Sequence, residues 1–478
     1  MLLFSMLVAA IGLVWGAVLL RHGSLLTGCL VVVGLACCLG ADFYSARIGP
    51  LPLTSDRLAL AGLTVIYLLG RLQGRIPALP WDRFDLVFAG FLGMLTLNTL
   101  THDWRFRDAQ PLSNLLFLYF VPAAVYCIVR ESELSPRNIR LVHGCLGLFS
   151  VYLALTAIAE VKQVSAVVFP GYILSSANQE WLGRGRGPFL NPVTNGLYLS
   201  AGIFAWSMFW RDAGRLGRMV LVGLIALVFA GVYCTLTRSC WLGAAAGLLL
   251  IAVASVPTRW RVPLLAGCLL AGLGLAALKG SDFNSFKRDK NVSEHDMAQS
   301  AQLRPILAAV AMKIVRDYPV FGCGFGQYKK VDRNYFSARD VNMPIEVARK
   351  YVQHNVLLAV LTETGIVGIT WYVLLWAGWL YRAWRLWRSD ERPWPARQHG
   401  LLFVAFFVAW AINGMFHDTS LMMNANLLVC LLAGMSQGLG ARQPATIRDT
   451  THGAAALVSP RWPWTMPRAL QQAEQGYR

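Results

Sequence analysis

Charged residues are scarce in this chain of 478 residues, at 14% against about 25% in an ordinary soluble domain. Hydrophobic residues make up 56% and the mean hydropathy is +0.49. Apolar runs of about 17 to 22 residues recur along the chain, and each is long enough to cross the hydrocarbon core of a membrane. The runs are solidly apolar rather than alternating, which excludes an outer-membrane β-barrel. The sequence therefore predicts an all-α polytopic membrane protein.

Patterns typical of metal and nucleotide sites are also missing. Ten cysteines are present, most of them inside apolar runs, and they show no paired metal-ligand spacing. No Asp-x-Asp occurs, and the acidic and histidine pairs that do occur are scattered (His102-Asp103, Glu294-His295-Asp296, His417-Asp418), whereas a hard metal ion needs several converging oxygen ligands. The glycines of 321–327 follow no strand-to-helix pattern, so they predict a sharp turn rather than a dinucleotide site. We expect neither a metal ion nor a cofactor.

The apolar runs predict thirteen membrane spans. The first run has no basic stretch before it and no small-residue cleavage site after it, so we expect a retained helix rather than a signal peptide. The spans lie at about 2–20, 24–40, 58–70, 84–100, 111–129, 139–160, 189–210, 217–235, 239–255, 262–278, 355–381, 400–416 and 423–440.

The basic residues predict which side of the membrane each link faces. One set of links holds 22 Lys and Arg, and the short links between them hold 8; the richer set should be cytoplasmic. Its members are 21–23, 71–83, 130–140, 211–218, 256–262, 382–399 and the segment after 440. In a soluble protein the net charge of +18 would indicate a nucleic-acid partner. Here the positive charges are concentrated in the links predicted to be cytoplasmic, so membrane topology explains them. We therefore expect no nucleic-acid partner.

One long polar insert divides the chain. We predict about ten N-terminal spans in 1–278, a periplasmic insert at 279–354, about three C-terminal spans in 355–440 and a disordered cytoplasmic tail at 441–478. Within the insert, Pro305 suits the first position of a helix that ends before Pro319. Arg304 would then lie beside the free N–H groups of a helix N-terminus, a natural anion site. A second short helix should begin at Pro344 and deliver His354 to the membrane surface.

His354 begins the first span after the insert. On the residues alone, a polar residue capping a helix explains it well. The alternative is an imidazole that titrates near neutral pH and removes a proton from a hydroxyl. Glu363 lies nine residues further on and should face protein rather than lipid, where it would either bond a neighbouring helix or polarise a site.

Arginines on the outer face are the other candidates. Arg184 and Arg186 lie among glycines that let a backbone approach an oxyanion closely, although solvated surface charges explain them as well. Arg238 lies in a link so short that its guanidinium stays at headgroup depth, so a functional role is slightly favoured over contact with lipid phosphates. Together with a histidine at the boundary, these arginines would suit a pyrophosphate and an acceptor hydroxyl.

The order of these motifs resembles the O-antigen ligase-like superfamily, which includes O-antigen ligases, O-antigen polymerases and protein O-oligosaccharyltransferases. The resemblance covers about residues 180–370. It rests on Arg186-Gly-Pro-Phe-x-Asn191-Pro, on Leu236-Thr-Arg238-Ser-x-Trp-Leu-Gly243, on Arg304-Pro with Asp317-Tyr-Pro and Gly322-x-Gly324 after it, and on His354-Asn with Glu363-x-Gly365 and Gly368 after it.

The resemblance implies a GT-C-like, metal-independent inverting glycosyltransferase of the bacterial inner membrane. Its donor would be a glycan on undecaprenyl pyrophosphate, its acceptor a glycan, lipid A core or protein, and its surroundings membrane lipids. His354 matches the family's catalytic histidine and thereby favours the catalytic interpretation of that residue. Arg186, Arg238 and Arg304 match its pyrophosphate-binding positions, and Arg184 joins them as the neighbour of Arg186. Supporting candidates are Asn191, Asn355, Glu363 and His417.

The acceptor stays open at this point. O-antigen ligation to lipid A core is the first hypothesis, and polymerisation or protein glycosylation are alternatives. A lipid-linked oligosaccharide transporter is a remoter alternative. A transporter should show charges near mid-membrane and paired broken helices, whereas the predicted spans are nearly free of charge apart from Glu363.

Overall fold

The structure is a computed structural model, and it describes residues 24–40, 43, 46–48, 51–175, 181–278, 294–336 and 352–442. The predicted first span at 2–20, the predicted helix from Pro344 and the tail beyond 442 lie outside the described residues. A short hairpin, β1 (Ala46–Ile48) and β2 (Leu51–Leu53), precedes the second helix. The helices are α1 (Leu25–Cys38), α2 (Ser55–Leu72), α3 (Arg83–Leu100), α4 (Pro111–Glu131), α5 (Pro136–Lys162), α6 (Pro192–Met208), α7 (Arg215–Cys234), α8 (Arg238–Ser255), α9 (Thr258–Leu278), α10 (Glu294–Asp317), α11 (Tyr328–Val331), α12 (Val356–Arg388), α13 (Trp394–Gly414) and α14 (Met423–Ala441).

A helix lies at each of the twelve predicted spans within the described residues. Seven of the described helices are long and apolar enough to cross a membrane, namely α3, α4, α5, α7, α8, α12 and α13. The prediction of an all-α polytopic membrane protein is therefore confirmed. The total number of spans and the side that each link faces stay predictions.

Helices α6 and α14 lie at the centre of the bundle, with most of their side chains buried. Small residues let the neighbouring helices approach closely, as is common in membrane bundles. A Cβ on Gly202 would lie 2.0 Å from Ser150 of α5, and one on Gly434 would lie 2.8 Å from the carbonyl oxygen of Tyr126 in α4. The centre is therefore held by backbone proximity rather than by large side chains alone.

Arginines link the helices at one end of the bundle. Arg130, at the end of α4, forms an ion pair with Asp85 of α3 at 2.6 Å, and Arg382 of α12 pairs with Asp82. Arg442, which follows α14, donates to the carbonyl oxygen of Ser132 at 2.6 Å. All three arginines belong to links that the charge distribution predicts to be cytoplasmic. The insert packs at the opposite end of the bundle.

Helix α12 is broken at Gly365, whose φ of 63° and ψ of −164° are not helical. The break frees backbone groups that bond to the loop after α10: Cys323 N–H donates to Thr362 O at 3.0 Å, and Ile366 N–H donates to Pro319 O at 2.9 Å. The loop turns through glycines at positive φ, such as Gly322 at 72°, as the sequence predicted. The insert is thus anchored to the backbone of a membrane helix.

Candidate active site

Asn355 positions His354 at the start of α12. Its side-chain oxygen accepts a hydrogen bond from Leu358 N–H at 3.0 Å and so caps the helix. Its side-chain nitrogen donates to the carbonyl oxygen of Met415 at 3.2 Å. The histidine therefore lies beside the link that joins α13 to α14, which contains Phe416 and His417.

Helix α10 begins earlier than the sequence predicted. It starts at Glu294 rather than at Pro305, and Pro305 lies inside it. The prediction that Arg304 sits at a helix N-terminus is therefore wrong, and the free N–H groups expected beside it are absent there. Proline is most common at the first turn of a helix, but it is tolerated further in at the loss of one hydrogen bond. Interpreting Pro305 as the first helical residue therefore places the start of α10 too late in the chain.

Arg304 is held by the packing of α10. Leu303, Leu307 and other apolar side chains of the helix form a cluster with Tyr328, Phe336 and Val352. Arg304 itself is accessible to solvent, and its guanidinium carbon lies 5.1 Å from the centre of the Phe416 ring. This cation–π contact brings the insert arginine to the same α13–α14 link that Asn355 contacts.

Three of the predicted residues influence one another electrostatically. Burial, and then the positive charge of Arg304, lower the pKa of His354. Partial burial, and then the charge of Arg238, lower the pKa of Arg304. Groups must be close to perturb one another in this way. Two cations and one imidazole whose pKa is lowered therefore share one region at the end of the bundle.

Arg238 occupies the first residue of α8, and its side chain is exposed. The link before it is only Thr235 to Thr237, because α7 ends at Cys234. The arrangement expected at Arg304, an arginine beside the free N–H groups of a helix N-terminus, is found here instead. A dipole end and a guanidinium together favour an anion.

Arg186 is buried and engaged by protein groups. Its guanidinium donates to the carbonyl oxygen of Ile173 at 2.6 Å and lies 4.0 Å from the carboxylate of Glu160. Glu160 also accepts from the backbone N–H groups of Arg186 and Gly187, at 3.2 and 2.8 Å. Arg184 is buried as well, 4.8 Å from the Trp181 ring. These contacts fix the loop before α6.

The same loop reaches Arg238 through the backbone. Gly185 N–H donates to the carbonyl oxygen of Cys234 at 2.7 Å, four residues before Arg238, with which α8 begins. A Cβ on Gly185 would lie 2.6 Å from Ala157, so the approach requires glycine. Arg184 and Arg186 thus lie in a loop that borders the α7–α8 link.

The supporting candidates have separate structural roles. Asn191 caps α6, because its side-chain oxygen accepts from Val193 and Thr194 N–H at 2.9 and 3.1 Å. The Glu363 side chain accepts from Gly326 N–H at 3.0 Å, so it bonds the insert loop rather than a neighbouring helix. His417 follows Phe416 in the α13–α14 link, where its backbone N–H donates to Asn413 at 3.0 Å.

Sequence reasoning missed Phe416 and Glu160. Phe416 precedes His417, which is a candidate from the sequence. An aromatic residue in a membrane link, however, does not by itself indicate a functional site. Glu160 was recognisable, because a carboxylate inside an apolar run is expected to face protein. The same argument was applied to Glu363 and could have been applied here. Within the described ranges, no three His, Cys, Asp or Glu side chains are grouped so that they could hold a metal ion.

The chain was compared with known families and proteins. Residues 222–373 match a family model described as O-Antigen ligase. The matched section contains Arg238, Arg304, His354 and the broken helix at Gly365, and it ends before the α13–α14 link. No curated protein matches the chain.

Proposed function

Because the chain belongs to the O-antigen ligase-like superfamily, and is thus a membrane glycosyltransferase of that type, we propose that it transfers a glycan from undecaprenyl pyrophosphate to an acceptor hydroxyl. The observation that supports this most is the proximity of Arg238, Arg304 and His354 at one end of the bundle. Two exposed cations suit a diphosphate, and an imidazole whose pKa is lowered suits a hydroxyl that must lose its proton.

The proposed reaction is a single inverting displacement. The acceptor oxygen forms a bond to the anomeric carbon while the bond from that carbon to the pyrophosphate oxygen breaks. The hydroxyl proton passes to the imidazole of His354, and undecaprenyl pyrophosphate leaves with the bonding electrons. Arg238 and Arg304 stabilise the negative charge that develops on the leaving group, which is the usual role of preorganised cations.

We assign Arg184 and Arg186 a positioning role in this mechanism. The Arg186 guanidinium already bonds to Ile173 and lies beside Glu160, so a direct bond to the donor would have to replace buried contacts. Holding the loop against Cys234 keeps the α7–α8 link, and with it Arg238, in place. Asn191 and Asn355 contribute as helix caps, and His417 borders the site.

Ligation of O-antigen to lipid A core in the bacterial inner membrane, on its periplasmic face, is the form of this function that we propose first. Polymerisation of O-antigen and glycosylation of a protein use the same donor and remain the alternatives. Deletion of the gene separates the first two. Loss of a ligase leaves free core and accumulates lipid-linked polymer, whereas loss of a polymerase leaves core that bears one repeat unit.

The decisive test is transfer by the purified protein in lipid nanodiscs, with an undecaprenyl-pyrophosphate-linked glycan and lipid A core as substrates. His354→Ala should lower kcat by about 10²- to 10⁴-fold, because a general base contributes that much, and should leave donor binding intact. Transfer at the wild-type rate would remove His354 from the mechanism.

The arginines can be tested in the same assay against a matched control. Arg304→Ala should weaken donor binding and lower kcat. Arg316→Ala removes the same charge from the same helix, about 18 Å further along its axis, and should change neither. Equal effects of the two variants would show that only the overall charge of the insert matters. The alternative function, a lipid-linked oligosaccharide transporter, would give a different result: the protein would move the lipid-linked glycan across the membrane without transferring it to an acceptor.

A further inference from the structure

A polar cavity of about 580 Å³ lies on the insert, outside the site described above. Its volume falls in the range of small-molecule sites, about 300–1,000 Å³. The cavity is formed between the α3–α4 link and the residues that follow the glycine loop. The described residues that line it are Asp108, Lys329, Asp332, Arg333 and Phe336. None of these residues has a role in the proposed transfer step.

The described residues of the lining have no net formal charge, because two carboxylates balance two cations. Arg333 and Asp108 are paired across the rim at 3.4 Å, and both are largely exposed. Asp332 is only 3% exposed and takes part in no ion pair among the described residues. Its carboxylate accepts a hydrogen bond from the backbone N–H of Arg333. A carboxylate can accept several hydrogen bonds, so Asp332 can accept further bonds from a ligand in the cavity.

The floor of the cavity shares an apolar cluster with residues next to the candidate active site. Phe336 belongs to the apolar cluster that also contains Leu303 and Val352. Leu303 precedes Arg304 in α10, and Val352 lies two residues before His354. The apolar cluster beneath the cavity therefore reaches the residues next to Arg304 and His354 in the chain.

We propose that this cavity binds the saccharide end of the acceptor, as a neutral and hydroxyl-rich oligosaccharide, and holds it while its terminal hydroxyl reaches His354. This proposal rests on the proposed function. Sugar hydroxyls can donate to the carboxylates of Asp108 and Asp332 and accept from Lys329 and Arg333 at the same time. A phosphorylated ligand would require a cationic lining, and a peptide would require more apolar surface.

The proposal can be tested with full-length protein in nanodiscs, by isothermal titration calorimetry and by the kinetics of transfer. The probes are core oligosaccharide freed from its lipid and dephosphorylated, the same oligosaccharide with its phosphates, and a peptide rich in Ser and Thr. Asp332→Asn, which keeps the shape of the side chain, should weaken binding of the dephosphorylated probe at least tenfold. It should raise the acceptor KM by the same factor and leave kcat and the donor KM unchanged.

Asp103→Asn is the matched control. It removes a carboxylate that pairs with Lys330 at 2.8 Å on the same surface but does not line the cavity, so binding should not change. If Asp332→Asn fails to fold, Lys329→Gln should raise the acceptor KM in its place.

Three results would overturn the acceptor site: an unchanged acceptor KM, tighter binding of the phosphorylated probe, or Asp332-dependent binding of the peptide. Absence of transfer by the wild-type protein would contradict the proposed function itself. Wild-type transfer with an unaltered acceptor KM in Asp332→Asn would contradict only the acceptor site.

Discussion

His354 lies in surroundings that disfavour its charged form. Burial removes water from the imidazole, and the nearby guanidinium of Arg304 repels a second positive charge. Both causes lower the pKa of His354 below the usual value for histidine, about 6.5. A general base must be neutral before it can accept a proton, so a lowered pKa favours the role that we propose for His354.

The acid limb of kcat/KM should therefore lie below pH 6.5 in the wild-type protein. In Arg304→Gln the repelling charge is gone, so the pKa of His354 should rise and the limb should move to higher pH, whatever happens to the maximal rate. The measurement is a pH–rate profile of glycan transfer. Arg316→Gln should leave the limb in place. A limb that Arg304→Gln does not move would show that the two side chains are not coupled.

At the scale of elements, the break in α12 joins the insert to the membrane bundle. Gly365 adopts a φ and ψ combination that is essentially restricted to glycine. A Cβ at this position would lie 2.3 Å from the carbonyl oxygen of Val320. The bonds made there also fix the end of α10 and the glycine loop, and hence the position of Arg304 relative to His354.

Gly365→Ala should therefore destabilise the protein. Backbone strain alone would cost about 1–3 kcal/mol, and the clash with Val320 adds to it. Thermal unfolding in nanodiscs should show a clear fall in Tm, accompanied by reduced transfer. Gly93→Ala is the matched control, since Gly93 lies in the neighbouring helix α3 and a Cβ there meets nothing within 4 Å. An unchanged Tm for Gly365→Ala would mean that the break is not required for folding.

Elements were predictable from the sequence to different degrees. The spans were found because a membrane helix must be apolar along its whole length. The break at Gly365 was not, because glycine is frequent in membrane helices and only the partner loop reveals its conformation. The early start of α10 was missed because Pro305 resembles a start signal. The turn at Gly322 was expected, although its bonding partner was not.

At the scale of the whole molecule, hydropathy could not show which arginines lie close to one another in the folded protein. Arg186 and Arg238 both lie in links predicted to face outward, yet one is buried against Glu160 and the other is exposed at a helix N-terminus. Residues more than a hundred positions apart, such as Arg238 and His354, could be grouped only through the family resemblance. The polar cavity beside Asp332 had no motif at all, because its walls come from two separate links.

The proposed function requires the insert to lie on one side of the membrane and the arginines that link the helices, Arg130, Arg382 and Arg442, to lie on the other. Arg316→Cys on α10 should react with a membrane-impermeant maleimide in intact spheroplasts, because the insert is predicted to be periplasmic. Arg388→Cys, at the end of α12, should react only after lysis, since the link at 382–399 is predicted to be cytoplasmic. The unsubstituted protein measures the background from its own cysteines. The opposite labelling pattern would place His354 in the cytosol, where a periplasmic glycan could not reach it, and would contradict the proposed transfer.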